Sequence, residues 1–322
     1  MSSVELGFAL SDSTVNKVCF QDNNWSEWDG GKVGGTPNWL HPHANPKDKH
    51  ICNSCKTPLT FILQIYCPLD TEIDAFHRTL YMFFCRQRAC NSTTRFKVFR
   101  SQLPRDNPFY TLDSTPSEPL QPHPTDYIPT QSEITNNTSD MLFPHCDIVI
   151  DSEHDRNIAL DAKELNLLET YQKNRLENND KNDPLFNDTD IDITQTELKQ
   201  LLGDDGTPED EQYVRFLTRI AIAKSQILRY SRWNNTDILW VHSKGIVNDF
   251  NIIPSCSNCG SPRKFEFQIL PQLLYYLQVD AEHWEWGTLV VFTCVKSCQS
   301  PNSCAEEFVF YQAPYSPQTN SQ

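Results

Sequence analysis

The 322-residue sequence predicts an α+β, β-rich fold: two pseudo-repeated, ribbon-like β lobes with a disordered linker and an acidic, partly helical insert between them. Two observations carry that reading. The first is a cysteine pattern that occurs twice. Residues 52–69 read CNSCKTPLTFILQIYCPL and residues 256–273 read CSNCGSPRKFEFQILPQL. At one constant offset Cys52/Cys256, Cys55/Cys259, Pro58/Pro262, Phe61/Phe265, Gln64/Gln268, Ile65/Ile269 and Leu69/Leu273 coincide. Each block then leads to an apolar strand that delivers a second pair, TLYMFF into Cys85-x4-Cys90 and TLVVFT into Cys294-x3-Cys298. Two turns that each offer two thiolates to one tetrahedral metal are how a zinc-ribbon-like unit reads in sequence. The second observation is charge. The net is −15, and residues 140–215 hold 20 acidic against 7 basic residues, about −13 of it.

The elements follow in order. Residues 1–105 are an N-terminal β lobe with the first cysteine unit. VELGFAL is a short strand candidate. Gly34 and Gly35 permit positive φ in a turn, and Pro37 sets an extended exit toward Trp39. Strands are expected around 59–66, 79–84 and 95–99. Residues 106–140, rich in Pro, Ser, Thr and Asn, read as the disordered linker. Residues 141–229 read as the acidic insert, with helical patches at 160–175 and 194–202 and a helix over 209–229. That last helix rests on Val214, Leu217, Ile220, Ala221, Ala223 and Leu228 at helical spacing. Residues 230–322 are a C-terminal β lobe with the second cysteine unit. There Phe265, Phe267 and Ile269 alternate with Glu266, Gln268 and Leu270, which predicts an amphipathic strand.

Metal is the better reading of the cysteines than disulfide. MSSVELGF shows neither a basic n-region nor an apolar h-segment, and no apolar run reaches the roughly 18–20 residues of a membrane span. The expected compartment is cytoplasmic, with shuttling to the nucleus, where thiols stay reduced. The eight paired cysteines therefore predict two structural zinc sites, Cys52, Cys55, Cys85 and Cys90, then Cys256, Cys259, Cys294 and Cys298. Buried metal-free thiols are the plain alternative. Cys19, Cys67, Cys146 and Cys304 lack close partners, although Cys304 is near enough to replace Cys298. His41, His43 and His50 crowd the approach to Cys52.

No catalytic set is present: the sequence has no Gly-x-Ser-x-Gly, P-loop, dinucleotide fingerprint or His-Glu-x-x-His. All-cysteine zinc sites are closed and structural, so an enzyme is not expected. Glu306-Glu307 before the strand FVFY read as a solvated strand edge. Trp284 and Trp286 flank Glu285 ahead of a strand; they are structural aromatics or, on the sharper reading, partner-binding residues. The first repeat has a modest basic set, Arg86, Arg88, Arg95, Lys97 and Arg100, which the second lacks. The overall acidity disfavours direct nucleic-acid binding.

An ordered string of motifs carries a family resemblance over nearly the whole chain. It runs KVGGTPNWL (32–40), Cys52-x2-Cys55, QILRY (226–230), CSNCGSPRKFEFQ (256–268), WGTL (286–289) and EFVFYQ (307–312). Together these resemble the programmed cell death protein 2 family. No Cys/His array of an extra MYND-type finger lies between residues 106 and 250. The chain is thus similar to the finger-less branch, which includes a fungal 20S rRNA accumulation protein. The resemblance implies a dedicated chaperone of a basic small-subunit ribosomal protein, S5-type in bacterial terms, acting in 40S biogenesis and 20S pre-rRNA maturation. It also implies contact with pre-40S particles and an export receptor. Leu160, Leu165, Leu167 and Leu168 among acids fit either an export signal or a core-packed helix. The alternative function is a zinc-ribbon scaffold or nucleic-acid-associated regulator.

Overall fold

Ten antiparallel strands form one closed sheet in the computed structural model, which describes residues 4–10, 31–41, 50–90, 92–107, 109, 142–153, 210–221, 223–234, 237–279, 284–300 and 304–315. The strands are β1 (Glu5–Leu10), β2 (Gly31–Val33), β3 (Thr60–Tyr66), β4 (His77–Phe84), β5 (Phe96–Leu103), β6 (Cys146–Ser152), β7 (Gln226–Tyr230), β8 (Arg263–Ile269), β9 (Thr288–Cys294) and β10 (Cys304–Gln312). Around the barrel they run β1-β6-β2-β3-β4-β5-β10-β9-β8-β7. Two helices are described, α1 (Glu211–Ala221) and α2 (Leu273–Leu277). No helix among the described residues is long and apolar enough to cross a membrane.

The repeat is legible in the hydrogen-bond register. Thr60, Phe61, Leu63, Gln64 and Ile65 face Phe84, Phe83, Met82, Tyr81 and Leu80. Their counterparts Lys264, Phe265, Phe267, Gln268 and Ile269 face Thr293, Phe292, Val291, Val290 and Leu289. Even the irregularity matches, since both ladders slip one residue between the equivalent positions Phe61/Leu63 and Phe265/Phe267. Each half contributes five strands. The chain interleaves them, for β1 sits beside β7 of the C-terminal half and β6 beside β2 of the N-terminal half. Seams β1–β6 and β5–β10 close the ring.

Three readings change. The helix expected over 209–229 ends at Ala221, and Gln226–Tyr230 is the strand β7. Ile227 and Leu228 continue the apolar pattern, so helical spacing carried past the true break; Leu228 in fact pairs with both Gly7 and Ile269. Residues 146–152, inside the expected insert, are likewise barrel strand β6. Strand β8 is also not amphipathic: Glu266 and Gln268 are both fully buried. The bulge breaks its alternation. Most of the expected linker and residues 154–209, with both helical patches and the export-type leucines, lie outside the described residues.

One apolar cluster draws on all ten strands, from Ala9, Val33, Leu63 and Met82 to Phe267, Val291 and Val309, and fills the barrel. The outside is covered by the segments that precede each Cys-x2-Cys. Trp39, joined by Leu59 from just after the cysteine turn, packs on Phe61, Tyr81, Phe83 and Phe99. Ile238, Trp240, Val247 and Ile253 pack on Phe265, Val290 and Phe292. Equivalent glutamines pin both covers: Gln64 Oε1 accepts from Asn38 N at 2.8 Å and Gln268 Oε1 from Leu239 N at 2.7 Å. Gly34 has φ 65°, and a Cβ there would lie 1.9 Å from the Pro144 carbonyl oxygen, so the first cover can start only from glycine.

Candidate metal centres

Each Cys-x2-Cys is a tight turn ahead of a strand. Lys56 N donates to Cys52 O at 3.0 Å and Cys52 N to Thr57 O at 2.9 Å; Gly260 N donates to Cys256 O at 2.8 Å and Cys256 N to Ser261 O at 2.9 Å. Both turns close through a left-handed residue, Lys56 at φ 60° and Gly260 at φ 70°. The second pair leaves the end of the next strand, Cys85 after β4 and Cys294 closing β9.

These turns bring the four thiols of each unit together, all ligand atoms within 4.8 Å of one another. In the first cluster Cys52–Cys90, Cys55–Cys85 and Cys85–Cys90 are 3.7, 3.5 and 3.6 Å apart. In the second Cys256–Cys298, Cys259–Cys294 and Cys294–Cys298 are 3.6, 3.6 and 4.0 Å apart. A tetrahedron of sulfurs around zinc at about 2.3 Å has edges of about 3.8 Å. The donor sets therefore fit a four-thiolate zinc ion twice over. Neither set leaves an open position, so each would supply structural cross-linking and no Lewis-acid chemistry. Cys304 is not in the second set. It lies in β10 opposite Ser101 and packs in the apolar cluster around the first. His50 stacks on Trp39 and Phe83 and joins neither set, and His43 lies outside the described residues.

The thiols of each cluster titrate unevenly. The hydroxyl and amide of Thr57 hydrogen-bond Cys55 and bring it down to about 6, and Ser261 does the same for Cys259. Burial pushes Cys90 up to about 12 and Cys298 well above the usual thiol range. One ligand is thus a ready thiolate, while the last needs the charge of a metal to lose its proton. Four thiolates around a divalent ion leave about −2, and buried arginines stand next to the second cluster. Glu307 gathers two of them, Arg100 at 2.7 Å and Arg263 at 2.9 Å, and accepts from Cys294 N at 3.1 Å. Arg100 also donates to Cys298 O at 3.0 Å. At the first cluster Arg95 donates to Cys90 O at 2.7 Å.

Because β3 and β8 run in opposite directions, the clusters lie at opposite ends of the barrel, and each meets the other half. Ser297, between Cys294 and Cys298, accepts from Arg78 Nε of β4 at 3.0 Å through its hydroxyl and from Gln102 Nε2 of β5 at 2.9 Å through its carbonyl. At the far end, the loop before β9 packs on the first cluster's strands. Trp284 and Trp286 set edges against Phe84 and Phe96 at 5.4 and 5.7 Å, and the Arg86 guanidinium lies 5.1 Å from the Trp284 ring. A bidentate ion pair ties the halves in between, Arg78 Nη1 and Nη2 to Glu266 at 2.5 and 2.7 Å, both side chains fully buried.

Sequence comparison matches the two ends of the chain separately. The profile described as programmed cell death protein 2, N-terminal domain, matches residues 3–117, and that described as programmed cell death protein 2, C-terminal putative domain, matches residues 210–313. Mouse programmed cell death protein 2 is 32% identical over 328 residues, covering 89% of this chain and 92% of that protein. The chain belongs to the programmed cell death protein 2 family. Human programmed cell death protein 2-like is 27% identical over 340 residues, covering 88% and 90%. A Schizosaccharomyces pombe protein named probable 20S rRNA accumulation protein 4 is 33% identical over 93 residues, 27% of this chain and 23% of that one. No solved structure matches the chain.

In this family member the remaining candidates fall as follows. Trp286 is an interior side chain, 2% exposed, and Trp284 is half-buried against the core. Of the first repeat's basic set, Arg95, Lys97 and Arg100 are buried at 7%, 9% and 1% exposure. Arg95 and Arg100 brace cluster carbonyls, and Lys97 donates to Asn53 at 2.9 Å, so they do not form a basic surface. Glu306 is exposed, but Glu307 is 4% exposed and is the hub of the second cluster rather than a solvated edge. Arg78, Glu266 and Arg263 were missed altogether. The one local signal was Glu266 between two phenylalanines, which reads equally as an outward face when the bulge is unseen.

Proposed function

We propose that this chain is a non-catalytic escort of a basic small-subunit ribosomal protein, of the S5 type in bacterial terms, during 40S assembly. The observation that carries the reading is family membership together with the local match to a protein named for 20S rRNA accumulation. Two physical facts support it. The net charge of −15 suits a basic client and repels RNA phosphate. Three of the five basic side chains of the first repeat, Arg95, Lys97 and Arg100, are buried, which weighs against the scaffold or nucleic-acid reading.

In this reading each four-cysteine cluster holds zinc, and each zinc-ribbon-like unit is a rigid lobe of the client-binding body. Client capture happens in the cytoplasm, and the complex moves on to pre-40S particles in the nucleus. Affinity purification of the full chain, with and without RNase and at two salt concentrations, tests the proposal. One basic small-subunit protein at near-equal stoichiometry, resistant to RNase, is the expected result. An RNase-sensitive mixture overturns it. Metal analysis of the same sample should give two zinc ions per chain.

A further inference from the structure

We propose that the outer face of β1 and β6 is the docking surface for a basic, extended segment of a partner protein. The proposal rests on the escort reading above and adds to it a place on the fold.

Directly opposed residues of antiparallel strands share a face. On β1 and β6 the outward pairs are Leu6/Asp151, Phe8/Val149 and Leu10/Asp147. Leu10 is 54% exposed and Val149 45% exposed, while Leu6 is buried at 3%, so the open part of the face runs from Phe8/Val149 to Leu10/Asp147. Six large apolar side chains stand exposed among the described residues, and two of them, Leu10 and Val149, lie on this face. The other outer faces are occupied. The Trp39 segment covers β3–β5, the Trp240 segment covers β8–β10, and α1 packs beside β7 through Gln226 Nε2 on Arg219 O at 3.3 Å. This face, which no described segment covers beyond Leu6, is also where the two halves of the barrel meet, Phe8 against Val149.

Its charge selects the occupant. Asp147 and Asp151 stand two residues either side of Val149, about 7 Å away along the strand. The Asp147 side chain is 74% exposed, and the His145 ring lies 3.5 Å from it. Along β6 the face thus reads acid, apolar, acid. A complementary segment carries Lys or Arg on both sides of an apolar residue, as a basic ribosomal protein offers before rRNA covers it. The chain's own residues 154–209 hold 14 acidic and 6 basic residues and are repelled by the same two carboxylates. A second copy of the face would oppose acid to acid, and RNA is excluded on sign. Leu10, Val149 and the half-buried Phe8 supply contact area, and the rim carboxylates act mainly on the rate of capture.

The test uses the full zinc-loaded chain and an array of 15-residue synthetic peptides tiled over the small-subunit ribosomal proteins. Wild type should retain a few basic peptides. Val149→Lys, a change at a half-exposed position, should weaken those by tenfold or more, with zinc content and melting temperature unchanged. Asp147→Lys with Asp151→Lys should weaken them threefold or more and flatten the salt dependence. Val149→Ser serves if the lysine variant does not fold. If folded variants hold the same peptides as tightly as wild type, the docking face is overturned while the escort reading stands. If no peptide binds but a basic protein still co-purifies with wild type, the extended-segment proposal alone falls. If neither binds, both fall.

Discussion

The two cysteine clusters share ligand chemistry, turn geometry and strand register, yet they live in different surroundings. In the first, Cys52, Cys85 and Cys90 are 1%, 0% and 7% exposed and belong to an apolar cluster with Phe61, Tyr81, Phe83 and Phe99. In the second, Cys259 is exposed and Cys298 half-exposed, and the neighbours are Arg100, Arg263 and Glu307. The repeat has duplicated what a metal ion needs, four thiols at a tetrahedral spacing. It has not duplicated what surrounds it. One site is insulated by an apolar cluster drawn mostly from its own half, and the other is braced by hydrogen bonds from the opposite half.

The largest expected effect breaks this pair apart. Zinc coupled to folding is worth on the order of 10 kcal/mol per structural site. Cys85→Ser opens the insulated site inside a core and should abolish cooperative folding, seen as loss of the thermal transition. Cys259→Ser removes an exposed ligand at the barrel end and should cost one zinc while the barrel persists. With a chelator in excess, zinc should leave in two phases, and the fast phase should be missing in Cys259→Ser. A single phase in wild type would show that burial does not separate the sites.

Next is the position inside the bulge, where the halves differ most. The first half has Ile62 and the second Glu266, each at most 1% exposed. Ile62→Val should cost about 1 kcal/mol, the ordinary loss of a methylene. Glu266→Gln leaves Arg78 buried with half of its partner and should cost about 3–5 kcal/mol in urea unfolding. Arg78→Met with Glu266→Leu should recover most of that loss. The carboxyl sits in a site whose burial disfavours its charge, but the paired Arg78 outweighs burial and brings it down to about 2 from its ordinary 4.5. Its stabilisation is therefore present above pH ~4.5 and fades as pH falls through about 2. The gap between wild type and Glu266→Gln should close over that window. Zinc loss in acid is common to both proteins, so the difference isolates the carboxyl.

Glu266 also shows what was legible from sequence and what was not. The two clusters of four cysteines could be read because metal chelation asks for fixed residue types at short local spacing, and the repeat shows that spacing twice. Strands β3, β4, β8 and β9 could be read because apolar runs between turns have few other meanings. Ring closure could not. It depends on β6 and β7, two strands that lie in or beside an acidic stretch and pair with residues far away in the chain, Ile148 with Ala9 and Gly31, Leu228 with Gly7. The same holds for the buried ions. Arg78 meets Glu266 and Arg100 meets Glu307 across the two halves, so each charge alone looks like a surface residue.

Two glutamines give a subtler contrast. Gln268 satisfies both ends of its amide, accepting from Leu239 N at 2.7 Å and donating to Leu239 O at 2.9 Å and Thr288 Oγ1 at 3.1 Å. Gln64 accepts from Asn38 N at 2.8 Å, but its buried Nε2 has no partner among the described residues. Truncation of Gln268 strands three groups, while truncation of Gln64 strands one and removes an unpaired donor. Gln268→Ala should cost about 2–3 kcal/mol and Gln64→Ala about 1. Equal penalties would mean that packing, and not hydrogen bonding, holds the covering segments.

The smallest effect tests whether the turns themselves are as alike as their hydrogen bonds. Lys56 and Gly260 occupy the same place, the residue after each Cys-x2-Cys, with φ of 60° and 70°. A side chain in the left-handed region costs roughly 1–2 kcal/mol, which Gly260 avoids and Lys56 bears. Glycine has its own cost of about 0.4–1 kcal/mol, because it frees the unfolded chain. Lys56→Gly should therefore stabilise the protein by up to about 1 kcal/mol, and Gly260→Lys should destabilise it by a similar amount. Space is not the issue at Gly260, where a Cβ would meet nothing within 4 Å, so any loss is conformational. Denaturant midpoints of the two zinc-loaded variants check this. Opposite shifts of similar size mean that the two turns are energetically the same device, and that the insulation of one cluster and the exposure of the other arise outside them.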